Sequence, residues 1–381
     1  MAAVAPGGAV ARGGAGSPGG AVARGGAGSP ERPVDALLVL SFGGPEGPRD
    51  VLPFLERATA GRGVPRERLL EVAKHYDHFD GVSPLNARNR ELIERVRAEL
   101  AEQGIALPVY FGNRNWHPLV EDTVAEMAAA GVRRALVFAT SAYGGYSACR
   151  QYHEDIERAR ESVGEGAPEL VKLRHFFDHP DFVGAAADAV RSAAATLPVE
   201  RRGQARLVFT AHSIPSAADA AAGVPAEGGH RYSRQVAEAA RLVAESVDVH
   251  DYDVVWQSRS GPPSVPWLEP DVLDHLDALH AKSVQAVLVC PIGFVSDHVE
   301  VVWDLDNEAS ERAAGYGMSF ARAATAGAAT RFARMVVELV REQLDGVSPR
   351  SLGAVPSAGA GVNGQPCGVD CCAPVRRPTR P

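Results

Sequence analysis

From about residue 34 to residue 345, short β-branched or apolar runs alternate with longer segments whose apolar residues recur near a 3.6-residue period. Strands are predicted at 35–42, 107–112, 134–140, 169–175, 205–211, 252–257 and 286–291. Helices are predicted at 49–60, 66–76, 86–103, 119–130, 149–163, 182–197, 232–247 and 271–282, with a last amphipathic run at 330–344. Strands spaced by helices pair in parallel through right-handed crossovers, which defines an α/β class. At 381 residues the chain has room for two domains of ~100–200 residues each. Ligands of parallel sheets bind beyond the carboxyl ends of the strands, so chemistry is expected in the residues that follow each strand.

Both ends of the chain lack this pattern. Residues 7–18, GGAVARGGAGSP, are repeated letter for letter at 19–30, and have too little bulk to pack. Residues 1–32 are therefore expected to be a disordered low-complexity tail. Residues 348–381 read as a flexible extension that carries Cys367, Cys371 and Cys372, three of the five cysteines. A formal charge of −8 offers no basic field to a phosphate backbone, so no nucleic-acid partner is expected. No apolar run approaches the ~20 residues that span a bilayer, and no secretory apolar core is present. A cytoplasmic location without a transmembrane segment is expected.

The predicted strand ends read SFGGPEG (41–47), FGNRNWHP (111–118), TSAYGGYSACRQY (140–152), TAHSIP (210–215), WQSRSGPPSVPWLEP (256–270) and CPIGFVSDHVEVVWDLDNE (290–308). None is a phosphate loop or a dinucleotide fingerprint, so nucleotide binding has no support. His212 follows the run LVFT, at the mouth of a sheet, where a neutral imidazole can accept a proton near pH 7. Glu300, Asp304 and Glu308 recur at four-residue steps and would form one column of carboxylates along a helix face. Such a column is either a solvated acidic face or, beside His298, a place where a divalent metal neutralises the repulsion.

Residues 291–306 (PIGFVSDHVEVVWDLD), 207–215 (LVFTAHSIP), 256–270 and 78–92 (HFDGVSPLNARNREL) together resemble the ferrochelatases, over about residues 34–345. The segments FGNRNWHP and SAYGGYSACRQY resemble the actinobacterial branch, whose members act on coproporphyrin before its propionates are decarboxylated. The resemblance implies two Rossmann-like, chelatase-type domains facing each other across a porphyrin cleft, at 34–141 plus 322–347 and at 142–321. It implies insertion of Fe²⁺ into coproporphyrin III, giving Fe-coproporphyrin III in haem biosynthesis.

Insertion removes two pyrrole protons while the metal sheds water, so the site needs a base and oxygen or nitrogen ligands. By resemblance His212 and Glu300 are the catalytic iron-site pair, and Asp304 and Glu308 can relay metal or protons to solvent. His298 is expected to orient Glu300. By resemblance Ser83 and Tyr152 contact substrate. Phe42, Tyr143, Tyr146, Trp256 and Trp303 are candidates for an apolar wall, and Arg57, Arg62, Arg66, Arg68, Lys74, Arg88 and Arg90 are candidates for the propionates. Phe42 stands where some bacterial relatives carry a tyrosine that ligates product iron, which excludes a phenolate there. Alternatives are protoporphyrin IX as the porphyrin, a related chelatase for cobalt or nickel, and a non-catalytic carrier with His212 as axial ligand. Transient contact with haem-pathway enzymes is also expected.

Cys149 and the three carboxyl-terminal cysteines make four thiolates, a set that either a [2Fe–2S] cluster or tetrahedral zinc accepts. The resemblance implies a [2Fe–2S] cluster held by Cys149, Cys367, Cys371 and Cys372, with the adjacent pair binding from a sharply bent turn. Cys290, inside the strand AVLVC, is left as a packing residue.

Overall fold

The structure, a computed structural model, describes residues 33–61, 63–261, 264–353 and 370–374. The tail expected over 1–32, most of the carboxyl-terminal extension, Arg62 and the cluster ligand expected at Cys367 lie outside the described residues. Among the described residues, eight strands form two four-stranded parallel sheets. In the first, β1 (Ala36–Ser41), β2 (Val109–Asn113), β3 (Arg134–Ala139) and β4 (Glu169–Lys172) take the order β2-β1-β3-β4. In the second, β5 (Arg206–His212), β6 (Tyr252–Gln257), β7 (Ala286–Cys290) and β8 (Ser319–Arg322) repeat that order as β6-β5-β7-β8.

All seven predicted strands are present, and β8 is additional: its four residues, SFAR, are mostly half-buried and carry no apolar run to announce them. β4 pairs with β3 from Arg134↔Glu169 to Val137↔Lys172, so the first sheet extends to residue 172. A parallel strand needs its crossover, here through the helix Gln151–Val163, before the chain can return to the same sheet.

Side chains alternate across each strand, and the two faces serve different cores. Leu37 and Val39 of β1 and Leu207, Phe209 and Ala211 of β5 enter one large core. Ala36, Leu38 and Leu40 enter a smaller outer core, and Val208 another. The large core joins both sheets through the helices Leu85–Glu102, Pro180–Ala194, Arg231–Ser246 and Thr330–Leu344. The last of these packs against the first two and buries Phe332, Met335, Val336, Val337, Leu339 and Val340 completely. Each such side chain contributes ~1.5–3 kcal/mol of transfer free energy.

The loop after β4 is pinned to this last helix. Arg174 donates to both carboxylate oxygens of Glu342, at 2.7 and 2.8 Å, and to the carbonyl of Arg350 at 2.9 Å, with both charged side chains almost fully buried. Arg174→Leu is therefore expected to cost ~3–5 kcal/mol, because Glu342 is left as an uncompensated buried charge. Urea unfolding measures this, and an unchanged midpoint would contradict it.

Candidate active site

In a sheet ordered β6-β5-β7-β8 the crossovers diverge between β5 and β7, and this strand switch opens a crevice at their carboxyl ends. His212 is the last residue of β5, and the loop after β7 leads directly to Glu300. Gly293 lets that loop cross β5: its N–H donates to the Thr210 carbonyl at 3.0 Å, and a Cβ there would sit 2.4 Å from the Cβ of Ala211. The chain then turns into a short helix, Val299–Val301. His212 Nε2 lies 3.3 Å from Glu300 Oε2. Two tyrosines hold the strand ends: Tyr232 donates to the His212 carbonyl at 2.8 Å and Tyr143 to the Ile292 carbonyl at 2.7 Å.

His212 Nδ1 contacts the Ser213 carbonyl at 2.5 Å. A carbonyl only accepts, so Nδ1 carries a hydrogen and Nε2 faces Glu300. Burial penalises the imidazolium, but the hydrogen bond and charge of Glu300 outweigh it and hold the His212 pKa above its ordinary value. Glu300 answers in the opposite sense. Burial would raise its pKa, yet His212, with His298 and His75, brings it to about 2. The two sit deep among protein atoms but keep 35% and 49% of their side-chain surface open, so water screens part of both effects.

The acidic column takes an unexpected form, because residues Val302–Ala309 are wound as a π-helix. Wide turns of this kind recur at functional sites. Here they bring Asp304 to the end of β6, where Gln257 donates to it at 3.1 Å and Ser258 donates as well. Burial, with the neighbouring Glu300 and Glu308, raises the Asp304 pKa to about 7. Partial neutrality of Asp304 relieves the repulsion within the column. Sequence reasoning passed over Gln257 and Ser258, although two polar residues directly after an apolar strand were the available signal. It also missed His75, which stacks on Trp303 with ring centroids 4.4 Å apart and lies near Glu300 and Glu308. A single histidine in a helical pattern gives no such signal.

The matching switch point of the first sheet is filled. Asn89 and Thr140 bond to Ser41, and Asn86 donates to the carbonyls of Gly44 and His117 and accepts from Asn113. The two residues expected to contact substrate are both buried. Ser83 is 3% exposed, accepts from the Leu85 N–H, and sits so close to Gly44 that a Cβ there would lie 2.6 Å from its own. Tyr152 is 4% exposed, with the Arg114 guanidinium 4.3 Å from its ring centroid and Arg114 itself bound to Asp155 and Gln151. Tyr143 and Trp256 are also core residues, whereas Phe42 is 40% exposed. The cationic candidates engage carboxylates: Arg57 with Glu121, Arg66 with Glu56, Arg68 with Glu71, Arg88 with Glu91 and Arg90 with Glu46.

A second set of donors lies around Cys149, Cys371 and Cys372, all buried and none in a disulfide. The tip turns sharply, with Cys372 at φ +52°, and is tied down by Arg150 to the Cys371 carbonyl at 3.0 Å and by the Cys372 N–H to the Gly223 carbonyl at 3.0 Å. The two sulfurs are 3.8 Å apart. Thiolates sharing one tetrahedral ion at ~2.3 Å also lie ~3.8 Å apart. The Cys372 pKa falls to about 7, first through its hydrogen bond with Cys371 and then through the Gly223 N–H, 3.2 Å from its sulfur, while Cys149 is near enough to oppose the shift. These residues fit an anionic metal–sulfur group. Cys290 stands apart in the core, its thiol raised to about 12 by burial. His179, Asp181 and Glu338 also converge, but Arg334 and Arg350 already occupy their carboxylates, so they read as an ion network.

The chain thus repeats a parallel α/β unit and sets an imidazole–carboxylate pair at one strand switch. Its fold is similar to that of SirB from Bacillus subtilis, solved with Fe³⁺, at a TM-score of 0.50 and 12% identity, covering 81% of this chain and 95% of that one. The ferrochelatase family pattern matches residues 34–344, and the chain belongs to the ferrochelatase family. It is 67% identical over 345 residues to the coproporphyrin III ferrochelatase of Nocardia farcinica, covering 91% of this chain and 98% of that protein. It is 61% identical over 342 residues to that of Mycolicibacterium smegmatis, covering 89% and 99%.

Proposed function

We propose that the chain inserts ferrous iron into coproporphyrin III, releasing two protons and Fe-coproporphyrin III on the route to protohaem. The observation that carries this is the His212–Glu300 pair at the strand switch. It is supported by relatives of 57–67% identity that bear the name coproporphyrin III ferrochelatase. Glu300 stays ionised and meets the charge of iron; Nε2 of His212, once its proton leaves, is free to ligate iron or accept a pyrrole proton. Iron entering the pair displaces the proton that now joins them. Asp304 and Glu308 lead from the pair along the π-helix as a path for metal or protons.

Exposed ion pairs such as Arg66–Glu56 and Arg68–Glu71 are each worth ~0–1 kcal/mol, so their guanidinium groups can turn to substrate propionates at little cost. Four propionates call for more such partners than two. Anaerobic Fe²⁺ with coproporphyrin III or protoporphyrin IX, followed by the porphyrin absorption bands, is expected to show faster turnover of coproporphyrin III. No turnover of either porphyrin, with tight haem binding that His212→Ala abolishes, would instead establish a carrier.

The buried thiols support a [2Fe–2S] cluster held by Cys149, Cys371 and Cys372, with Cys367 as the fourth ligand. Bound there, the cluster would anchor the extension and add one-electron chemistry that metal insertion does not use. The cysteines among the described residues form no disulfide, which also fits a reducing compartment, and we take the protein to act in the cytoplasm, meeting other haem-pathway enzymes transiently.

A further inference from the structure

His175 lies in the loop that follows β4, next to the thiol group and outside everything assigned to iron insertion. It is 5% exposed, and neither ring nitrogen has a conventional hydrogen-bond partner. Buried polar groups are seldom left so. The thiol that interacts with this ring is that of Cys149, and Lys172 and Arg231 are close enough to act on it electrostatically. A neutral thiol is a weak acceptor, whereas a thiolate is a strong one. A metal-ligating sulfur is therefore the acceptor that this buried ring lacks.

We propose that His175 donates an N–H hydrogen bond to the Cys149 sulfur and thereby raises the reduction potential of the group that Cys149 holds. The inference rests on the [2Fe–2S] reading above. Three features of this chain argue for a donor rather than a ligand. The four cysteines already supply the sulfurs such a cluster takes. The other sulfur with a described donor, Cys372, receives a backbone N–H, from Gly223, so donation to sulfur recurs in this pocket. The nearby cations Lys172, Arg231 and Arg150 make the pocket favourable for an anionic cluster. Hydrogen bonds to ligating sulfurs withdraw electron density from the metal and move the potential upward.

Purified full-length protein is first examined for the visible charge-transfer bands and iron and sulfide content of a [2Fe–2S] cluster. Their absence overturns the cluster reading, and this inference with it, before any variant is made. With the cluster present, redox titration is expected to give His175→Phe a more negative midpoint than the parent, with His175→Asn, which retains an N–H donor, in between. An unchanged midpoint in His175→Phe overturns the proposal while leaving the cluster reading intact. Because the phenylalanine variant could fail to load its cluster, the unmodified protein is also prepared with ¹⁵N-histidine and studied by pulsed EPR after reduction. A weakly coupled histidine nitrogen is the expected result; no coupling, or the strong coupling of a directly bonded nitrogen, overturns it.

Discussion

His212→Ala is expected to lower kcat for iron insertion by ~10²–10⁴-fold, the usual contribution of a positioned acid–base group, while leaving the fold intact. The imidazole is held at the end of β5 by strand pairing and by Tyr232 on its carbonyl, and that backbone is untouched by the substitution. The pair itself adds little stability. The raised His212 pKa contributes below pH ~6.5 and is lost as pH rises through its folded value; the Glu300 pKa of about 2 contributes above pH ~4.3 and is lost as pH falls toward it. With both side chains partly open to water, the shared window is worth ~1 kcal/mol or less. Thermal midpoints of parent and variant should therefore agree within ~2–4 °C.

Glu300→Gln gives the companion result. It keeps the shape but removes the charge that meets iron and supports the imidazolium, so the His212 pKa, read by NMR, should fall to or below ~6.5 as burial is left unopposed. Full activity in either variant would sink the iron-site assignment.

On the [2Fe–2S] reading proposed above, Cys372→Ser is expected to abolish the visible bands and the bound iron. Cys372 sits 3.8 Å from its neighbour's sulfur, and its left-handed turn is the geometry that lets adjacent cysteines point the same way. A serine hydroxyl is neither soft enough nor acidic enough to replace the thiolate. Cys149→Ser should behave alike. Cys290→Ser should keep the cluster but lose ~1–3 kcal/mol of stability, since it places a hydroxyl in the large core. Iron and zinc content with absorption spectra checks all three; a colourless parent protein with stoichiometric zinc would reject the cluster.

The alternation of β-branched runs with amphipathic helices is a local property, so the α/β class and the seven predicted strands were legible in the amino-acid order. The same holds for His212 and Glu300, because in parallel sheets chemistry gathers at strand ends and the chain shows where strands end. The cysteine tip was legible as a set of donors. Strand β8 was not, since four residues with one buried position carry no period. Nor was the π-helix, whose wider turns moved Asp304 from a simple acidic face to Gln257 and Ser258.

Burial was the larger gap. Ser83 and Tyr152 carry hydroxyls that suit a propionate, and both side chains are buried, Ser83 beside Gly44 and Tyr152 beside Arg114, neighbours distant in sequence. His175, the last residue of the strand predicted over 169–175, lies instead in the loop after β4, where Cys149 acts on its ring. Sequence by itself determined which elements form and which residues end the strands, because those follow from neighbours along the chain. Only the tertiary structure decided which side chains remain accessible and which meet, because packing is set by contacts between segments tens to hundreds of residues apart.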